Sequence, residues 1–295
     1  MAFRRRCLLF VPGDSERKIA HALRLPVDGL VFDLEDAVAP GAKAAARRTV
    51  SAALPAVPPG CERVVRVNAV ATGLATEDVR GTMAGRPDAY MLPKVRDPTE
   101  IVAVARAIAE AEAAHGLPAG QVRLVVIGTE TAAGVLAIRE LARAHPRVNG
   151  LLWGSEDLSA DIGARRTHGP DGRLLDVFAH ARSVALLAAA AARIDAFDMP
   201  YLRIGDTAGL RREAEESAAM GFVGKLAIHP EQIAPIVEAF TPAGEEVDAA
   251  HAMLAAWEAA GRPGTFAHAG EMVDAPMLAR ARRIVGGMHA TGRGT

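Results

Sequence analysis

Glu130 and the Glu156/Asp157 pair are the residues of this chain best placed to do chemistry. Each follows an apolar run, VRLVVIGTETAAG starting at Val122 and VNGLLWGSEDL starting at Val148, and each run is long enough for one buried strand. The acids then emerge at strand ends, where α/β proteins commonly place reactive groups. Two carboxylates at neighbouring strand ends suggest a Mg²⁺ site. A hard divalent cation takes oxygen ligands, and Mg²⁺ often uses one or two carboxylates and leaves its other positions to water or substrate. The same acids also fit a plainer role as helix caps, because Thr129 to Thr131 and Ser155 to Asp157 read as N-terminal signals.

Elements must hold these groups on one face. Short β-branched or apolar runs alternate with longer alanine-, glutamate- and arginine-rich segments, the pattern of repeated βα units. The runs are Cys7 to Val11, Gly29 to Leu34, Arg63 to Val67, Ala89 to Leu92, Val122 to Ile127, Val148 to Trp153, Arg193 to Phe197 and Val223 to Ile228. Helices are expected at Lys43 to Leu54, Thr99 to His115, Thr131 to His145, Phe178 to Ala192 and Thr207 to Met220. Eight strands with helical crossovers fit a (β/α)₈ TIM barrel, which collects every strand C-terminus on one face. A doubly wound sheet is the competing architecture, but Pro12-Gly13-Asp14 after the first strand is not a Gly-rich phosphate turn.

The strand ends carry, in order, Phe10/Pro12, Asp33/Glu35/Asp36, Arg66/Asn68, Lys94, Glu130, Glu156/Asp157, Asp198 and Lys225/His229. Charge at one end of every strand from the second to the eighth, against turn residues such as Pro26, Pro87 and Pro146 at the other, points to a shared site. Any single one of these groups also reads as a cap or a structural ion pair.

Composition narrows the function classes. The chain has 295 residues, half of them apolar, and a net charge of -1. It can bury a large core, and it shows no electrostatic footprint for nucleic acid. Arg4, Arg5 and Arg6 before CLLFV resemble a secretory signal, but Pro12-Gly13 breaks the apolar run, which reads as a first strand. Cys7 and Cys61 lack disulfide or zinc spacing, so a cytoplasmic protein is expected. The longest apolar stretch, Val184 to Ala192, falls well short of the roughly 20 residues of a membrane span.

After Ile228 the character changes. HPEQIAPIVEAF reads as the eighth helix, and GEEVDAAHAMLAAWEAAG and DAPMLARARRIVGGM as two further helices joined by the Gly-rich link GRPGTFAHAGEMVD. The division is a barrel over residues 1–240 and a helical extension over 241–295. Such extensions often form oligomers and can carry a residue into a neighbour's site. Asp274 is the candidate; its alternative role is to cap the helix that starts near Pro276.

Together, RCLLFVPGD, VFDLEDAVAPGAK, VRVN, MLPK, GTETAAG, WGSEDL, GKLAIHPEQI and GEMVDAPML resemble the citrate lyase β-subunit-like enzymes of the HpcH/HpaI aldolase superfamily. Each motif is weak alone; the ordered set, from about Arg6 to Ile284, is specific. The resemblance implies a barrel, a homotrimer or hexamer, and Mg²⁺-dependent making or breaking of a C–C bond between an acyl-CoA and a 2-oxo acid. It also implies Glu130 and Asp157 as metal ligands and Arg66 as the arginine that binds substrate and stabilises an enolate. Glu35 and Asp36 would orient metal waters and Arg66. Phe10, Pro12, Ile228 and His229 stand where relatives contact the CoA ester, and Glu156 would flank the metal on the substrate side or cap a helix. Asp274, in MVDAPML, matches the acid/base that reaches in from an adjacent subunit. The pattern departs in the first helix, where Ser15 and His21 replace an Arg and a Lys that often contact CoA phosphates, with Arg17 and Lys18 nearby.

The expected function is therefore a Mg²⁺-dependent lyase acting on malyl-, methylmalyl- or citramalyl-CoA. Alternatives are a citrate lyase β-subunit acting on a citryl-thioester, a malyl-CoA thioesterase, and an aldolase of free 2-oxo acids without CoA. A scaffold role predicts degraded site residues, and Arg66, Glu130 and Asp157 are intact.

Overall fold

A computed structural model describes residues 3–286 of the chain. Eight parallel strands, β1 (Cys7–Pro12), β2 (Gly29–Asp33), β3 (Glu62–Arg66), β4 (Ala89–Leu92), β5 (Arg123–Ile127), β6 (Val148–Leu152), β7 (Asp195–Asp198) and β8 (Gly224–Ala227), close into a barrel with β8 paired to β1. This closure excludes the doubly wound sheet. Around it lie α1 (Glu16–Ala22), α2 (Lys43–Ala53), α3 (Ala75–Thr82), α4 (Pro98–Ala114), α5 (Ala132–Leu136), α6 (Ile138–Leu141), α7 (Glu156–Asp161), α8 (Asp176–Ala192), α9 (Thr207–Met220) and α10 (Ile233–Ala239).

Strand alternation, with its period of two, divides the core. Leu8, Val31, Val64, Met91, Val125, Leu152, Phe197 and Leu226 fill the barrel interior. Their strand neighbours, such as Leu9, Phe32, Val65, Leu92, Val126 and Leu151, pack outward with the helices. Interior space is tight: a Cβ on Gly150 would lie 2.8 Å from the Phe197 ring. Near the strand N-termini, Arg5 closes the barrel through bonds to Glu62 (Nε to Oε2, 2.8 Å) and Asp195 (Nη1 to Oδ2, 2.9 Å).

The same alternation carries Phe10, Asp33 and Arg66 inward at the opposite end, with Asp33 and Arg66 directly paired in register. It turns Asp198 and Lys225 outward, away from the strand-end group in which the sequence placed them. Lys225 Nζ donates to Asp198 Oδ2 (2.7 Å) and to Glu213 Oε1 of α9 (2.6 Å), and Arg182 of α8 approaches Asp198 at 3.4 Å.

Two further expectations change. The helix expected at Thr131 to His145 is broken at Ala137 (φ -96°, ψ 6°) into α5 and α6. The Gly-rich link contains a hairpin, β9 (Phe266–His268) with β10 (Glu271–Val273). Its two-residue turn, Ala269-Gly270, has φ of 50° and 83°, the mirror-image geometry that hairpins favour. Ala-Gly lacks the Asn-Gly signature of such turns, so the sequence concealed it. The extension also holds α11 (Gly244–Ala259) and α12 (Ala275–Val285). α11 packs mainly on α12 and β9, and Arg282 stacks over Trp257 at 4.8 Å. Gly287 and Met288, read with the last helix, and the rest of the expected extension to residue 295 lie outside the described residues.

Candidate active site

The C-terminal ends of the strands surround a cavity of about 490 Å³, lined by Phe10, Pro12, Asp33, Asp36, Arg66, Glu130, Glu156, Asp157 and Ile228 among others. Residues from β1, β2, β3, β5, β6 and β8 or their following loops thus converge, as the strand-end pattern anticipated.

Arg66 is fixed from below. Its Nε and Nη2 donate to Asp33 Oδ1 and Oδ2, both at 2.7 Å, a fork geometry that orients the guanidinium plane. Nη1 lies 3.2 Å from Glu35 Oε2, and the Phe10 ring sits 4.7 Å from Cζ. Asp33 also accepts from the Glu35 and Ala37 backbone N–H groups at 2.8 and 3.1 Å. Burial alone would raise the Asp33 carboxyl; the hydrogen bonds and charge of Arg66 outweigh it and hold it below the ordinary carboxylate range. Asp33 takes two of the five guanidinium N–H bonds, and the rest of the group lines the cavity beside Glu35.

Glu130 stands apart from every other acid here. It is buried, and it is not the cap of its helix, since Thr131 caps α5 by accepting from Gly134 N at 3.0 Å. Its Oε2 accepts from the Lys94 backbone N–H at 2.6 Å, and among the described residues no side-chain cation hydrogen-bonds to it. Burial, then the Glu35 charge, pushes its carboxyl up to about 8, with Asp157 adding to the effect. Asp157 lies in the first turn of α7 with Glu156, a position that the helix dipole favours. Glu156 Oε1 accepts from Ser155 Oγ at 3.1 Å.

Lys94 is the group that sequence reasoning left without a role. Its Nζ donates to Glu35 Oε1 (2.8 Å) and Asp36 Oδ2 (2.9 Å) and lies 3.5 Å from Asp157 Oδ1. Burial opposes its charge, but the hydrogen bonds to Glu35 and Asp36 hold its ammonium pKa above the ordinary lysine value. Glu35, by contrast, is raised by burial in spite of Arg66 and Lys94.

Five carboxylates, Asp33, Asp36, Glu130, Glu156 and Asp157, thus line the cavity with one cation, Arg66, while the Glu35–Lys94 ion pair lies off its wall. A cavity so unbalanced suits a hard cation, and its donors are all oxygen. Among the described residues no group of three or more His, Cys, Asp or Glu side chains could enclose a metal. Two of the lining carboxylates, Glu130 and Asp157, could still hold such a cation if its other positions went to water and substrate.

Other anticipated residues lie elsewhere. His229 begins the turn after β8, its Nδ1 accepting from Glu231 N at 3.4 Å, and it does not line the cavity although Ile228 does. Glu35 stands behind Arg66 and Lys94 rather than on the wall. Asp274 caps α12, accepting from Met277 N at 3.3 Å, and is not part of this chain's own cavity. Ser15 caps α1 through Lys18 N at 3.4 Å, leaving Arg17, Lys18 and His21 exposed on the helix that follows β1. Trp153, which lines the cavity, donates from Nε1 to the buried Asp198.

Residues 6–230 match the family model described as HpcH/HpaI aldolase/citrate lyase. The mitochondrial citramalyl-CoA lyase of Homo sapiens is 36% identical over 296 residues, covering 95% of this chain and 84% of that protein. The citrate lyase subunit beta of Leuconostoc mesenteroides subsp. cremoris is 34% identical over 284 residues, covering 95% and 92%. Among solved structures, CitE from Mycobacterium tuberculosis in complex with magnesium, acetoacetate and coenzyme A aligns with a TM-score of 0.76 at 34% identity, covering 98% of each chain.

Proposed function

Because this chain belongs to the HpcH/HpaI aldolase/citrate lyase family and is a carbon–carbon lyase, we propose that it acts with Mg²⁺ on a 3-hydroxyacyl-CoA. Malyl-, methylmalyl- and citramalyl-CoA are the candidates, giving an acyl-CoA and a 2-oxo acid, or the reverse. The observation that carries this is Glu130, a buried carboxylate without a hydrogen-bonded side-chain cation, in a cavity shared with Asp157 and a tethered arginine. The solved relative with magnesium, acetoacetate and coenzyme A supports the metal and the thioester.

Glu130 and Asp157 would hold the cation. When bound, Mg²⁺ would supply Lewis-acid polarisation of the carbonyl or hydroxyl oxygen of the 2-oxo acid portion. Cleavage passes the hydroxyl proton to solvent water, breaks the C2–C3 bond of the acyl chain and leaves its electron pair in the thioester enolate, which takes a proton at C2. Arg66 N–H groups not bonded to Asp33 would stabilise the developing enolate oxygen, with Asp33 holding the guanidinium plane in place. Asp274, from an adjacent subunit, exchanges the proton with the acyl carbon. A homotrimer or hexamer would bring it there; its position outside its own cavity supports that arrangement. Phe10, Pro12 and Ile228 supply an apolar wall for the acyl-CoA portion, and His229, beside Ile228, would contact the ester. Among the described residues no helix is long and apolar enough to cross a membrane; a cytoplasmic location remains part of the proposal, supported by two unpaired cysteines.

The Leuconostoc relative favours one second reading, action on a citryl-thioester carried by an acyl carrier protein. The test is a panel of the three CoA esters and a citryl-thioester, incubated with enzyme and either Mg²⁺ or a chelator. Release of a 2-oxo acid from at least one CoA ester, only with Mg²⁺, is expected. Release from the citryl-thioester alone would establish the second reading, and release from none would reject both.

A further inference from the structure

Lys94 joins the cavity's acids through two different parts of itself. Its φ of 53° lies in the left-handed region, which a residue bearing a side chain seldom adopts. That backbone turn points the Lys94 N–H at Glu130 Oε2, 2.6 Å away. The side chain then folds back so that Nζ bonds Glu35 and Asp36 at 2.8 and 2.9 Å and stands 3.5 Å from Asp157 Oδ1. The loop beneath has little room to relax. Gly134, in the first turn of α5, is so close to the carbonyl oxygens of Val95 and Gly128 that a Cβ there would collide with both.

We propose that Lys94 is a positioning residue and internal counter-ion that sets the metal affinity of the cavity. Its amide orients one ligand carboxylate, while its ammonium, beside the other, repels an incoming divalent cation. Free Mg²⁺ is therefore held weakly. An anionic 2-oxo acid offsets the repulsion between Lys94 and the metal, so metal and acid bind more tightly together than apart. The inference rests on the assignment of Glu130 and Asp157 as the metal ligands.

The test is isothermal titration of Mg²⁺ into the metal-free full-length chain, without ligand and with saturating pyruvate. Wild type is compared with Lys94→Met, Lys94→Gln and Lys94→Arg. The first two remove the charge by different side chains, and one suffices if the other does not fold. Removing a unit charge a few ångströms away should tighten ligand-free Mg²⁺ binding by about fivefold or more. It should also shrink the gain in affinity that pyruvate confers, while Lys94→Arg stays near wild type in both. A smaller tightening, a weakening, or an undiminished pyruvate effect overturns the proposal. Absence of Mg²⁺ binding by wild type and by the charge-removed variants alike, even with saturating pyruvate, would overturn the ligand assignment as well, which separates the two failures.

Discussion

Charge neutralisation is uneven among the residues of this cavity, and the difference sorts their roles. Asp33 gives both oxygens to Arg66 and to two backbone N–H groups; its hydrogen-bonding capacity is spent on aiming the guanidinium. Glu130 keeps its capacity, and burial followed by the Glu35 charge lifts it to about 8 from an ordinary 4.5. Between those values the unfolded chain has lost this proton while the metal-free fold retains it, so this group makes the metal-free protein less stable as pH rises through the window. A metal must displace the same proton. Mg²⁺ affinity should therefore climb by up to about tenfold per pH unit below 8 and level off above it. Titrations in buffers of different ionisation enthalpy should show close to one proton released per Mg²⁺ at about pH 7 and almost none at about pH 9. Equal release at both, or Glu130→Gln behaving as wild type, would contradict the assignment. That Glu130, Asp157 and Arg66 share one cavity was legible because acids and arginine at strand ends stand out from the apolar runs before them. Lys94 was visible as a charge at a strand end, but its left-handed backbone and its reach to three acids depend on tertiary contacts that no local pattern records.

At the scale of elements, the eight strands follow the sequence reading to within two residues at either end, since apolar runs bounded by turn residues have few other places to go. Orientation was less legible. Asp198 and Lys225 carry charge near strand ends, yet the pleat turns them toward α8 and α9, where they brace Trp153 from behind. Asp274 poses the sharper question, because it caps α12 in its own chain and is also proposed to act in a neighbour's cavity. Asparagine caps helices about as well as aspartate, whereas alanine loses about 0.5–2 kcal/mol of stability. Asp274→Asn should thus keep the thermal midpoint of wild type while turnover falls by about a hundredfold or more, in the range of a lost general acid or base. Asp274→Ala should lose both. If Asp274→Asn kept near-wild-type turnover, the residue would be a cap and nothing more.

For the whole molecule, the barrel brings the acids together but leaves Asp274 outside the cavity of its own chain. The extension packs largely on itself, and Met272, beside Asp274, is 71% exposed. A closed ring of identical subunits would cover that surface and complete each site. Two inactive variants, Glu130→Ala and Asp274→Asn, should then complement when unfolded and refolded as a mixture. Random assembly around a ring gives about a quarter of the sites one intact barrel and one intact arm. No recovered activity, with mixed oligomers shown to form, would place the acid elsewhere. The most direct measurement follows by NMR the CoA ester that the panel shows to be cleaved, after Mg²⁺ is added to metal-stripped enzyme, with Glu130→Ala alongside. Acyl-CoA and 2-oxo acid should appear in equal amounts, only after Mg²⁺ and only with wild type. 2-Oxo acid formed at the same rate without metal or by Glu130→Ala, or free CoA released without acyl-CoA, would contradict a Mg²⁺-dependent lyase centred on Glu130.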